Sequence, residues 1–253
     1  MLSYLRIDER MTPQEKRQQR YRERYKSLKP QWDDSVMLIE RLFKEMVPSG
    51  AVVLDAGCGR SNYVLERNRA RIGRIVGVDA TPEAVDGNAT VDEVVLSDLD
   101  NLPFTNGTFD AVISLWVLEH LHHPDRVFAE VTRVLKPGGV FLFVTPYSYS
   151  YVLLAKRLAG ARLTRWILDR LYGRTEDDTF HTDYLANTER DIRRLAAQVS
   201  LEERFLITNE DPSYLAFNNA WFSVALAVQH IAQFLRLRVA TMHIIGVYQK
   251  PRT

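Results

Sequence analysis

Apolar and polar residues change their period several times along the chain, and each change predicts an element. In SVMLIERLFKEM the apolar residues fall at 36, 38, 39, 42, 43 and 46, a helical spacing that PSG at 48–50 terminates. AVVLD at 51–55 is a short continuous apolar run, which suits a strand buried on both faces. After a loop, YVLERNRAR at 63–71 predicts a short helix, and RIVGVD at 74–79 repeats the strand pattern. EVVLSD at 93–98, FDAVISLW at 109–116 and VFLFVT at 140–145, rich in Val, Ile and Phe, make five strands. Between the last two, PDRVFAEVTRVLKPGG places 127, 128, 131, 134 and 135 on one helical face. Pro124 and Asp125 suit its start, and Lys136-Pro137-Gly138-Gly139 its end. Strands alternating with helices over 50–145 imply βαβ crossovers, hence a mostly parallel sheet covered on both sides.

Beyond Pro146 the pattern turns helical. Helices are predicted over 151–172, over 188–199 with Thr188 as N-cap, and over 214–235. LEERFLIT at 201–208 and TMHIIGVYQK at 241–250 read as strands. An insertion of helices before a final strand makes 151–238 the expected cover that shapes a substrate site. The apolar stretch 214–235 is broken by Asn218, Asn219, Gln229, His230 and Gln233, so it falls short of the roughly 18 apolar residues of a membrane span. Its aromatic residues, Tyr214, Phe217, Trp221, Phe222 and Phe234, suit cover for an apolar acceptor, or peripheral docking to a membrane surface.

Composition narrows the picture. At 253 residues and 46% hydrophobic, the chain is long enough for one large core or a core domain with a smaller attachment. With 33 basic against 32 acidic residues, whole-chain electrostatics gives no reason to expect nucleic acid as a partner. The single cysteine, Cys58, excludes an internal disulfide, and the first thirty residues hold no apolar run of signal-peptide type, so a cytoplasmic location is expected. PQEKRQQRYRERYKSLK has seven Lys or Arg against two Glu, basic enough to touch an anionic surface, though a solvated helix face is the better reading. No internal repeat or low-complexity tract is present.

The candidate chemistry lies at the carboxyl ends of the strands, where open parallel sheets bind ligands. Asp55 closes the first strand, Asp79 the second and Asp98 the third. Gly57 and Gly59 allow a ligand close to the backbone. Asp79, about 20 residues further on, suits a carboxylate that accepts from both ribose hydroxyls. Each acid alone could be a turn or cap residue; three at successive strand ends around a GxG point to an adenosine-containing ligand. A dinucleotide fingerprint would need glycine where Asn62 stands, and no phosphate-cradling G-x-x-x-x-G-K-[ST] occurs. The expected ligand therefore carries adenosine but little negative charge.

These segments, VVLDAGCGRS, VGVDAT and SDLDNLPFTNGTFDAVISLWVLEHLHHPDRVFAEVTRVLKPGG, resemble consecutive motifs of the class I S-adenosylmethionine-dependent methyltransferases. The similarity is to the small-molecule, type 11 branch that includes ubiquinone and menaquinone biosynthesis enzymes. The resemblance implies a Rossmann-like, doubly wound α/β fold: a mostly parallel seven-stranded sheet with an antiparallel last strand. It also implies an N-terminal helical segment (1–47) over the cofactor site, a cofactor-binding core (48–150), and a substrate-shaping region with the last two strands (151–253). S-adenosylmethionine is the implied cofactor. Asp55, Ala56, Gly57, Cys58 and Gly59 would face its methionine moiety, whose ammonium and sulfonium suit the acid and the loop carbonyls. Asp79, followed by Ala80, would hold the ribose, Asp98 and the Leu99 N–H the adenine, and Leu115 and Trp116 would line the methyl-transfer end. Arg24 and Tyr25 would be further contacts from the N-terminal segment. The sequence departs from the family at Ser61, where a third glycine is common, which predicts a bulkier loop.

The implied activity is methyl transfer to a small, apolar or lipid-linked acceptor; the competing reading is a non-catalytic cofactor-binding or interaction module. Methyl transfer needs chiefly alignment and exclusion of water. For a hydroxyl acceptor a base would help, and LEHLHHPD offers His120 first and Glu119 second. His122 and His123 read as exposed loop residues, His181, Asp183 and Tyr184 as loop residues or substrate contacts, and Cys58 as a space filler. The spacing lacks a metal signature, so no metal is expected.

Overall fold

The computed structural model describes residues 12–154 and 182–252. The helix expected over 151–172 lies, after Tyr151–Leu154, outside the described residues, as does His181. The described chain forms two compact units: a sheet unit of 35–147, 182–208 and 243–252, and a helical unit of 12–34, 148–154 and 209–242.

A seven-stranded sheet organises the first. Its strands are β1 (Ala51–Ala56), β2 (Ile72–Asp79), β3 (Glu93–Leu96), β4 (Phe109–Leu115), β5 (Leu135–Pro146), β6 (Glu202–Glu210) and β7 (Thr241–Gln249), in the order β3-β2-β1-β4-β5-β7-β6. β1 pairs in parallel with β2 and β4, β2 with β3, and β4 with β5; β7 runs antiparallel to β5. This is the doubly wound α/β sheet with an antiparallel last strand that the sequence implies, and its strand order reverses between β1 and β4.

Both faces are covered. On one, α2 (Ser35–Met46) and α3 (Tyr63–Asn68) bring Ile39, Phe43, Val64 and Leu65 against Val53, Ile75, Ile113 and Leu142. On the other, α4 (Pro124–Val134) and α5 (Glu189–Gln198) bring Phe128, Val131, Ile192 and Leu195 against Leu54, Val112, Phe141 and Tyr248. Burial on both faces explains why β1, β4 and β5 read as continuous apolar runs without alternation. Thr188 caps α5 as its sequence predicts, accepting from the Asp191 N–H.

Two boundaries in this unit differ from the sequence reading. α4 stops at Val134, just short of the Lys136–Gly139 run, and β5 begins at Leu135 rather than at 140. Gly138, at φ +80°, turns the backbone so that its N–H reaches the Lys250 carbonyl at 2.9 Å while the Lys250 N–H reaches that of Gly139, also at 2.9 Å. Segment 63–71 is helical only to Asn68, and a single 3₁₀ turn, Arg69–Arg71, follows.

In the helical unit, α1 (Pro13–Leu28) opens with a complete capping box between Thr12 and Glu15. It is not a purely solvated basic face, because Gln19, Tyr21 and Tyr25 are buried. Several of its cations are paired: Arg22 with Asp211 at 2.7 Å, Lys26 with Asp33 at 2.7 Å, and Lys29 with Glu210. The apolar stretch 214–235 becomes a 3₁₀ turn, Pro212–Leu215, and then α6 (Asn219–Phe234). α6 starts later than expected because Asn218 caps it, accepting from the Trp221 N–H at 3.0 Å. Tyr21, Tyr25, Trp32, Ala216 and Phe222 form the core of this unit.

Candidate functional site

At the end of β1 the chain turns through Gly57 (φ +78°) and Gly59 (φ +45°), both in the left-handed region that glycine tolerates. The Gly57 and Cys58 N–H groups bond the Val78 carbonyl of β2 at 2.8 and 3.0 Å, which fixes the loop to the neighbouring strand. A Cβ on Gly57 would lie 2.4 Å from Val117 Cγ2, so no side chain fits. A Cβ on Gly59 would meet nothing within 4 Å, so this side of the loop is open.

Asp55 is buried beneath the loop. One oxygen accepts from Asn62 Nδ2 at 2.9 Å; the other, also buried, has no hydrogen-bond partner among the described residues. Burial pushes its carboxyl up to about 7, the Asn62 hydrogen bond opposes that, and the charge of Asp79 adds to it. Asp79, at the end of β2, is half-buried and accepts the Gly59 N–H and the Thr81 N–H, each at 3.1 Å. Ala80 beside it is exposed. Asp98 lies two residues past the end of β3 and is exposed, and Leu99 is half-buried.

Trp116, directly after β4, has φ +61°, a left-handed conformation that a bulky side chain seldom adopts. It is held on three sides: its N–H bonds the Val144 carbonyl at 2.9 Å, its indole N–H reaches the Tyr63 hydroxyl at 3.4 Å, and its ring meets His243 edge-on with centroids 4.7 Å apart. His243, buried in β7, is in turn 2.9 Å from Ser35 Oγ through Nδ1. Leu115, before Trp116, is half-buried.

Glu119 and His120 sit in a 3₁₀ turn, Leu118–His120, just beyond β4. Glu119 is buried and accepts from Thr145 Oγ1 at 3.1 Å, while Asn187 Nδ2 donates to that same hydroxyl at 2.5 Å. Burial pushes the Glu119 carboxyl up to about 7, against hydrogen bonds from the backbone and Thr145. Its main-chain carbonyl accepts from the Asp183 and Tyr184 N–H groups at 2.9 and 3.1 Å. His120 is half-buried, its Nε2 3.9 Å from Glu119 Oε1. His122 is exposed but paired, 2.5 Å from Asp183 through Nδ1.

The structure thus gathers Asp55, Gly57, Gly59 and Asp79 by direct hydrogen bonds and through the β1–β2 pairing, and puts Trp116 at the end of β4, next to β1. Arg24 and Tyr25 belong to the helical unit and bond there, to Asn219 at 2.9 Å and Glu210 at 2.9 Å. Ser61 has no left-handed backbone, so the fold makes no demand for glycine at that position. Cys58 is buried against Gly77, where a Cβ would lie 2.7 Å from its sulfur, and burial pushes its thiol up to about 12. That is a packing residue, not a nucleophile.

Four residues of the site escaped the sequence reading. Asn62 counted there only as a missing glycine, yet it caps α3 through the Val64 and Leu65 N–H groups and holds Asp55; its position just before a helical run was the available signal. Asn88 donates to the Gly59 carbonyl at 2.6 Å and that of Cys58 at 3.3 Å, and Ser114 donates to that of Ala56 at 2.9 Å. The Ala56, Cys58 and Gly59 carbonyls expected to meet a cation therefore each already accept one hydrogen bond. His243, far away in sequence, carried no signal. Among the described residues no group of three or more His, Cys, Asp or Glu is arranged to hold a metal ion.

Fold and loop together are those of a Rossmann-like, doubly wound α/β protein with acids at the ends of neighbouring strands. Residues 54–143 match the model of the methyltransferase domain family, and over this segment the chain is similar to the S-adenosylmethionine-dependent methyltransferases. It is 35% identical over 128 residues to a tRNA (carboxymethyluridine(34)-5-O)-methyltransferase of Arabidopsis thaliana, covering 49% of this chain and 29% of that protein. It is 33% identical over 131 residues to a ubiquinone biosynthesis O-methyltransferase of Xanthomonas oryzae pv. oryzae, covering 48% of this chain and 54% of that one. The chain thus spans about half, or less, of the length of these relatives. Among solved structures, an S-adenosylmethionine-dependent methyltransferase from Methanosarcina mazei superposes with TM-score 0.55 at 18% identity, over 84% of this chain and 98% of that one, a likeness of fold.

The residues present fit that cofactor. A buried carboxylate oxygen lacking a partner suits an ammonium, the open side of Gly59 leaves room, and Asp55, whose charge burial and Asp79 disfavour, would be relieved by a cation.

Proposed function

We propose that this protein transfers a methyl group from S-adenosylmethionine to a small, apolar or lipid-linked acceptor. The observation that carries this reading is the partnerless buried oxygen of Asp55, below a two-glycine loop at the switch in strand order. Asp55 and the Ala56–Gly59 loop would hold the methionine end of the cofactor. Asp79 and Ala80 would take the ribose, Asp98 and Leu99 the adenine, and Leu115 and Trp116 the methyl-transfer end. When bound, the cofactor supplies a methyl group on a positively charged sulfur.

The chain contributes alignment and exclusion of water. Trp116, locked by Tyr63 and His243, presents a rigid wall at the end of β4. His120, half-buried just beyond β4, would accept the proton that a hydroxyl acceptor gives up as its oxygen bonds to carbon, and Glu119 beside it would help to position the turn that carries it.

The apolar acceptor class follows from the aromatic segment 214–235 and is supported by the ubiquinone-pathway relative. The deciding experiment incubates a cell extract, its RNA fraction included, with the protein and methyl-labelled cofactor, and identifies labelled products by mass spectrometry. Label in an extractable small molecule or lipid supports the proposal. Label in RNA, or bound cofactor with no labelled product, overturns the acceptor class or the catalytic reading respectively.

A further inference from the structure

The helix α6 shows two apolar stripes. Phe222, Ala225, Gln229 and Ala232 face the core of the helical unit and are buried. Trp221, Val224, Val228, Ile231 and Leu235, at alternating spacings of three and four, form a second stripe on the adjacent face. Trp221 is 50% exposed, Val224 46%, Ile231 57% and Leu235 54%; Phe234 at 84%, the last residue of the helix, and Leu237 at 52%, just beyond it, enlarge the exposed apolar surface. Contiguous apolar surface of this kind marks an interaction site.

Charge around the patch restricts the partner. From Pro212 to Ala240 the sequence has no Asp or Glu. At one end the Arg17 guanidinium lies over the Phe217 ring at 5.6 Å, and that ring meets Trp221 with centroids 6.3 Å apart. Arg24 lies over Phe222 at 5.3 Å. At the other end Arg236 and Arg238 are exposed. An apolar ridge is thus bracketed by arginines, with a tryptophan near one of them. We propose that this face docks on a bilayer rich in anionic phospholipid, the apolar side chains entering the acyl boundary and the arginines meeting the headgroups. A second copy of the chain is the competing occupant, since the spacing suits helix pairing. Pairing in either direction, however, would set arginine against arginine with no acid on the face to offset it. The inference is independent of the methyl-transfer reading.

The full chain should float with phosphatidylcholine vesicles that contain phosphatidylglycerol, stay behind with phosphatidylcholine alone, and detach as salt is raised. The pairs Ile231→Glu with Phe234→Glu, and Arg236→Glu with Arg238→Glu, should each reduce vesicle binding by about tenfold or more with melting temperature and cofactor affinity unchanged. Should a variant fold poorly, the wild-type protein still tests the idea: brominated lipid should quench its tryptophan emission, and Trp221→Phe should remove that quenching. Absence from the floated fraction, equal binding to neutral vesicles, or a dimer that Ile231→Glu dissociates would overturn the proposal.

Discussion

Asp55 stands out among the residues of the site because the fold buries it, gives it one hydrogen bond and faces it with a second acid. Burial raises its carboxyl towards neutrality, so a cationic ligand that requires the carboxylate should release protons on binding near neutral pH. Calorimetry in two buffers of different ionisation heat would detect that release, and Asp55→Asn should abolish it. At Asp79 the expectation is simpler. Asp79→Ala should weaken S-adenosylmethionine binding by about 1 to 3 kcal/mol, the scale of a lost charge-assisted hydrogen bond, and an unchanged affinity would place the ribose elsewhere. The type of these residues was legible in the sequence: acids at strand ends, glycines where the backbone must be left-handed. Their partners were not. Asn88 and His243 act across the fold, and no local pattern announces a contact between residues 30 or 208 positions apart.

At the scale of elements, the strands and most helices were readable because burial on both faces produces apolar runs and burial on one face produces helical periodicity. Misjudged boundaries all lay where a side chain or a glycine decides the backbone. Asn218 starts α6 late, and Gly138 folds Lys136–Gly139 into β5. Two caps allow a comparison. Asn218→Ala should lower stability in urea by about 0.5 to 2 kcal/mol, with cofactor affinity intact. Asn62→Ala removes a cap of the same kind and also the hydrogen-bond partner of Asp55, so the Asp55 carboxyl should rise further and cofactor affinity fall as well.

For the whole molecule, two buried acids govern how the fold responds to pH. Asp55 and Glu119 are both raised to about 7 from ordinary carboxyl values, so between about pH 4 and 7 the folded chain binds more protons at these sites than the unfolded chain. Their contribution must therefore become less favourable as pH rises through that window, by about 1.4 kcal/mol for each unit of displacement. Wild type and Glu119→Gln, compared in urea at pH 5.5 and pH 8, should differ in that sense: the variant loses less stability on going to the higher pH. An equal loss in both would mean that Glu119 is not raised.

The helical unit has a further consequence. It is assembled from stretches around residues 12–34, 148–154 and 209–242, each separated from the next by a length of the sheet unit. No single cut in the gene yields either part as an uninterrupted polypeptide. Recombination could not exchange the helical part as a cassette, so any drift in its sequence must come from changes made in place, residue by residue.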